Sequence, residues 1–286
     1  MMRPLDRDQN AVAEFAALVD PSREDHLISL PEAALAIARV EYPQLDVHPY
    51  LAKLEALAQR VRSRLRSRPS ASETTTLLSW VLFDQEGLRG NREDYYDPRN
   101  SFLNDVLDRK LGIPITLSVV YMEVARRVGF TTAGVGMPGH FLLKHYDARS
   151  GEIFIDVFNR GCLLSRKECE QRLTEVTAGQ LEMQPEFLRP VTHRLILTRM
   201  LNNLRQIYFT QHNYHKALSV IELLLTIPPR SPELLRERAL ARLNLDQYLG
   251  AAQDLGNYLK LEPEAPDAQD VEETLEMVRQ LLSRLN

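Results

Sequence analysis

Gly112-Ile113-Pro114, Gly139-His140-Phe141 and Ile155-Asp156 set out, in chain order, the parts of a nucleophilic site with one part exchanged. An imidazole can take or hold a proton near neutral pH, and a carboxylate beside it fixes its tautomer. The missing member is a nucleophile. A cysteine at a helix N-terminus suits that role, because the helix dipole and the free N–H groups lower its pKa. Pro114 stands at the helix opening instead, with no side-chain nucleophile and no backbone N–H. Whether the chain does catalysis depends on what, if anything, replaces the thiol.

Four side chains are candidates for that replacement. Thr116 and Ser118 lie in the first turns of the helix that Pro114 opens, where a hydroxyl more ordinarily caps the helix or bonds a carbonyl. Cys162 follows Asp156 closely, and its plain expectation is a buried thiol acting as a small hydrophobe. Cys169 sits in Arg166-Lys-Glu-Cys-Glu-Gln-Arg172, where adjacent acids disfavour a thiolate. Tyr95, Tyr96, Asp97, Arg99 and Asn100 either line a cleft beside His140 or form a loop held by its own aromatic anchors. The helix N-terminus behind Pro114 also offers the N–H groups of Ile115 and Thr116 to a carboxylate. His212 and His215 have no further histidine or cysteine near them, so no metal site is expected, and no cofactor is implied.

These residues need elements to hold them. Leu30-Pro31-Glu32 opens a helix with proline inside its start. Leu51, Leu54, Leu57 and Val61 mark the face of a second helix, and Leu77 to Leu82 belong to a third. Gly87 to Asn100 is polar and turn-rich, with two tyrosines and Phe102 as anchors. From Pro114 to Val128 apolar residues fall on nearly every side, the pattern of a central buried helix that Gly129 ends. Thr132–Val135, Phe141–Lys144 and Ile153–Val157 then read as short strands, the last two joined by a hairpin loop over 147–151. Helices followed by an antiparallel meander make an α+β core.

Beyond about Thr192 the pattern is helical and repeats. Tyr214 and Tyr248, Ala217 and Ala251, and Pro229 and Pro263 are each 34 residues apart (248 − 214, 251 − 217, 263 − 229). That period and those positions belong to the tetratricopeptide repeat, a helical hairpin that presents its surface to proteins. The second copy carries Arg238 and Arg242 where the first has Leu204 and Tyr208. The last helix, Val271 to Leu285, would cap the array. The domains expected are 1–24 as an extension, 25–190 as the core with its helical N-terminal part, and 191–286 as repeats.

Composition narrows the function classes. A net charge of −4 argues against nonspecific nucleic-acid binding as the main task. The run Arg60, Arg62, Arg64, Arg66, Arg68 reads as a solvated helix end. Two cysteines, no apolar leader and no apolar run of membrane-spanning length fit a reducing cytoplasm with no membrane role.

The words Leu82-Phe83, Gly90-Asn91, Asp97-Pro-Arg-Asn-Ser101, Gly112-Ile-Pro-Ile-Thr-Leu-Ser118, Gly136-Met-Pro-Gly-His-Phe141 and Asp156-Val-Phe-Asn159 resemble the bacterial Sir-B-type family. The resemblance implies a transglutaminase-like, papain-like core joined to C-terminal tetratricopeptide repeats, in a family where the usual cysteine is generally absent. The reading that results leans away from catalysis. His140 and Asp156 are remnants of a triad, and Tyr96, Asp97, Arg99, Asn100, Thr116, Ser118 and Cys162 are candidates for ligand binding. The repeats take a protein or peptide partner, so that the chain works as an interaction or regulatory module. A hydrolase, protease or acyl transferase using the His140–Asp156 pair with a nonstandard nucleophile is the competing reading.

Overall fold

A computed structural model describes residues 4–147 and 151–285. The tip of the hairpin expected over 147–151 lies at 148–150, outside the described residues. The chain divides into two compact units, Arg23–Met200 and a second made of Met1–Ser22 with Leu201–Asn286.

In chain order the helices and strands are α1 (Pro4–Leu18), α2 (Leu30–Ile37), α3 (His48–Arg62), α4 (Ala71–Ser79), β1 (Arg89–Gly90), α5 (Leu103–Arg109), β2 (Leu111–Gly112), α6 (Pro114–Arg127), β3 (Ala133–Val135), β4 (Leu142–Asp147), β5 (Gly151–Asp156), β6 (Cys162–Leu164), α7 (Arg166–Val176), α8 (His193–Thr210), α9 (Tyr214–Leu224), α10 (Glu233–Leu243), α11 (Tyr248–Leu261) and α12 (Ala268–Leu285). Helix α8 runs through the division between the units.

Within Arg23–Met200 the organising element is α6. Every residue from Pro114 to Ala125 is buried, as its all-round apolar pattern requires. It packs against α2, α3, α4 and α5 and against β3 and β4. The sheet is antiparallel in the order β3-β4-β5-β6. Its register sets Phe154 opposite Lys144 on one side and Leu164 on the other. Phe154 and Leu164 join Val135, Leu142, Cys169 and Leu173 in one apolar cluster, so this sheet face is covered by α7. Strand β6 and helix α7 extend the meander beyond the three strands legible in the sequence.

Two local features differ from simple helical expectation. Helix α4 begins with a capping box in which Ser70 and Glu73 satisfy each other's backbone N–H. It then passes into a π-helical turn, Trp80–Gln85, a widened geometry that side-chain periodicity does not announce. The segment after it is held by a two-residue parallel pairing of β1 with β2.

In the other unit α1 packs on α9. The 34-residue period is a structural one. Tyr214 and Tyr248 each open a helix. The turns before them carry His212 and Asp246 at φ 54° and 57°, and matching bonds run from Asn213 N to Tyr208 O and from Gln247 N to Arg242 O (2.8 and 2.9 Å). Ala217 and Ala251 are both fully buried. Among the described residues no helix is long and apolar enough to cross a membrane.

Candidate functional site

Pro138 and Gly139 form the turn that delivers His140. The His140 N–H donates to Met137 O (3.1 Å). Gly139, at φ +69°, supplies the positive dihedral that a type II turn needs after proline. A side chain at this glycine would also collide with Val176.

Asp156 ends β5 and is fully buried. Its Oδ1 lies 3.1 Å from His140 Nε2. Nε2 is nevertheless buried without a hydrogen-bond partner, so the oxygen sits off the N–H axis and the contact is a close approach, not an aligned hydrogen bond. The carboxylate is better served by its own turn. Oδ1 accepts the Asn159 N–H (3.2 Å) and Oδ2 accepts Asn159 Nδ2 (2.7 Å), while Arg172 of α7 brings Nη2 to 3.6 Å. Burial pushes the Asp156 carboxyl up, but His140 and the Asn159 hydrogen bonds outweigh it and hold the pKa below the ordinary carboxylate value.

Phe158 joins this pair to the Gly87–Asn100 segment. Its ring meets His140 and Tyr95 edge-on, at 6.4 and 6.2 Å between centroids, and Arg92 lies over it at 5.1 Å. It packs so closely over Gly90 that a Cβ there would collide with the ring.

Buried Asn100 fastens the same segment to the start of α6. Its Nδ2 donates to Asp94 O and Tyr95 O (2.7 and 3.2 Å), and its Oδ1 accepts Asn91 Nδ2 (3.1 Å). Its carbonyl accepts the Thr116 hydroxyl at 2.6 Å, and that hydroxyl in turn accepts the Ile113 N–H. Asp97 is gripped by Arg99 Nε at 3.0 Å and Arg109 Nη2 at 3.0 Å. Burial raises the Asp97 pKa, and the hydrogen bonds from Arg99 with the charge of Arg109 outweigh it, leaving a net depression. Ser118 donates to Pro114 O (2.8 Å) one turn back.

Thus the candidate ligand groups Asp97, Asn100, Thr116 and Ser118 have their polar atoms engaged within the protein, while Arg99 holds Asp97 through Nε and Nη2 with its side chain 55% exposed. Tyr96 is 66% exposed and stacks edge-on against Tyr95, so the segment is anchored more by Asn91, Asn100 and Phe102 than by this tyrosine. Cys162 departs from the buried state expected of it: it is exposed, because it lies on the edge strand β6. It pairs in register with Asp156. Cys169 is the buried thiol, with its pKa pushed up to about 11 by burial first and then by Glu168 and Asp156. Among the described residues no side-chain hydrogen bond or ion pair joins Tyr96, Asp97, Arg99, Asn100, Thr116, Ser118 or Cys162 to His140 or Asp156. No group of three or more metal-ligating side chains occurs among them either.

Phe158, Asn159 and Arg172 carry roles that residue chemistry alone did not assign. The first two lie two and three residues after Asp156 and were visible as part of a motif. Arg172 gave no signal, since its helix had no known neighbour.

A buried apolar helix opened beside an antiparallel sheet, with histidine in the turn that leads into β4 and aspartate at the end of β5, is a transglutaminase-like arrangement. A family model of the transglutaminase-like superfamily matches residues 48–202, and one of the tetratricopeptide repeat matches 204–276. A UPF0162 protein of Xylella fastidiosa is 37% identical over 84% of this chain and 86% of that protein. Another from Vibrio cholerae is 27% identical over 85% and 89%. F-box only protein 21 of Homo sapiens is 35% identical over 137 residues, 44% of this chain and 22% of that one. The chain belongs to the transglutaminase-like superfamily and, within it, to the family of the UPF0162 proteins.

Proposed function

We propose that this chain is a noncatalytic transglutaminase-like protein that acts as a protein-interaction or regulatory module in the cytoplasm, engaging a protein or peptide through its repeats. The observation that carries this reading is Pro114 at the first position of α6, where a thiol would be activated. The neighbouring hydroxyls offer no relief, since Thr116 and Ser118 are committed to carbonyls. His140 and Asp156 then serve to hold the turn after Met137 against the turn after β5. Tetratricopeptide repeats generally mediate protein–protein contacts, and this unit leaves Leu249 and Leu261 exposed.

One observation favours a second reading. The exposed Cys162 lies directly across the ladder from Asp156, so a displaced thiol could work with the His140–Asp156 pair in acyl transfer or hydrolysis.

The interaction reading is tested by capturing partners on the immobilised full chain and on a variant with Leu249→Glu and Leu261→Glu, folded by circular dichroism. Partners recovered by the wild type and lost from the variant are expected. Recovery of no partner, or of the same partners by both, contradicts the proposal.

A further inference from the structure

We infer that the face around Trp80 is a docking surface for an acidic segment of a partner protein that carries an aromatic or aliphatic anchor. Trp80 is the chain's sole tryptophan and is 40% exposed, whereas so large a side chain is ordinarily well buried. It borders a cleft of about 490 Å³ between the segment that follows α3 and the outer face of α4. Glu73, Thr76, Leu77 and Trp80 line that face at helical spacing, and Leu65 and Pro69 supply the opposite apolar wall.

The charge on the cleft comes from the arginine run. Arg60 is committed to Glu86, and Arg62 donates to Gln59 and to Arg127 O. Arg64 and Arg66 are left on the cleft. The Arg64 guanidinium lies over the indole at 5.6 Å while donating to Arg60 O at 2.9 Å, so it is held in place before any partner arrives. Arg66 stands 86% exposed, with its nearest acid, Glu73, at 3.8 Å. An exposed pair at that distance is weak, and Glu73 is itself held by the Ser70 N–H and hydroxyl. A partner carboxylate can therefore recruit Arg66 without displacing a buried bond.

Tryptophan and arginine around an apolar recess are the residue types that dominate protein-interface energetics. Two arginines against one acid select a negatively charged partner. The anchor of that partner fills the recess against Leu77 and the indole, and its flanking carboxylates meet Arg64 and Arg66.

Because Trp80 is the only tryptophan, its emission reports on this face alone. The full chain would be titrated with an unlabelled decapeptide alternating glutamate with phenylalanine and leucine. Controls are the same peptide with lysine for glutamate and a single-stranded oligonucleotide. A saturable blue shift with the acidic peptide alone is expected. Anisotropy of the labelled acidic peptide should show affinity reduced by about tenfold in Arg66→Glu and in Trp80→Ala. Absence of a saturable shift, equal binding of the lysine peptide, binding of the oligonucleotide in place of the peptide, or undiminished affinity in Arg66→Glu would each overturn the inference. Arg66 is exposed enough that its variant is not expected to disturb folding.

Discussion

At the scale of single residues the molecule keeps a buried carboxylate whose cost must be met locally. Asp156 is fully buried, and its negative charge is held by His140, Asn159 and Arg172. Its folded-state pKa lies below the ordinary value, which is near 3.9 in an unfolded chain. The stabilisation is therefore complete above that pH and is lost as the pH falls through the lower folded value. Asp156→Asn should lower unfolding free energy at pH 7 by about 1–3 kcal/mol, the usual cost of disturbing a buried charged hydrogen-bond acceptor. The difference between wild type and variant should shrink in acid. Urea unfolding at pH 7 and at a series of lower pH values measures both. A difference that is constant with pH would show that Asp156 is not held ionised by its neighbours. Histidine and aspartate were legible in the sequence because their types and order are specific. Asn100 was legible only as a ligand candidate: its partners are mostly backbone carbonyls and another asparagine, brought near by folding. Side-chain type says nothing of such neighbours.

At the scale of elements, the second repeat shows how a broken pattern is repaired. Leu204, Tyr208 and Val220 are buried in the first copy. One period later stand Arg238, Arg242 and Asp254 (204 + 34, 208 + 34, 220 + 34). Buried Asp254 accepts from Arg238 at 2.9 and 2.6 Å and from Arg242 at 2.7 Å. An apolar trio has been exchanged for an ionic one at equivalent positions. The two arginines looked like lapses in the repeat because their acid lies on the next helix. Asp254→Ala should cost about 3–5 kcal/mol by taking from Arg238 its acid and leaving Arg242 only Glu222 at 3.7 Å. The combined change Arg238→Leu, Arg242→Tyr and Asp254→Val should be neutral or stabilising by about 1–4 kcal/mol. Thermal unfolding of both variants checks this, and a triple variant less stable than Asp254→Ala would contradict it. The core helices and strands β3 to β5 were likewise readable from period and turn residues. Strands β1 and β2 were not, since two residues give no period; β6 was not either, and the π-helical turn keeps the apolar composition of an ordinary helix.

At the scale of the whole molecule, the transglutaminase-like and repeat parts follow one another in a single chain, as their matches at 48–202 and 204–276 state. The sequence showed this order because a central apolar helix and a 34-residue period are long-range patterns that survive local exceptions. The proposal that matters most is that the core, with its histidine and aspartate in place, has no side chain acting as a nucleophile. Intact-mass spectrometry after incubation with an activated acyl ester, on wild type and on His140→Ala, tests it most directly. The account predicts the same background labelling in both proteins. An acyl adduct on Cys162, Thr116, Ser118 or Cys169 of the wild type that disappears in His140→Ala would contradict it.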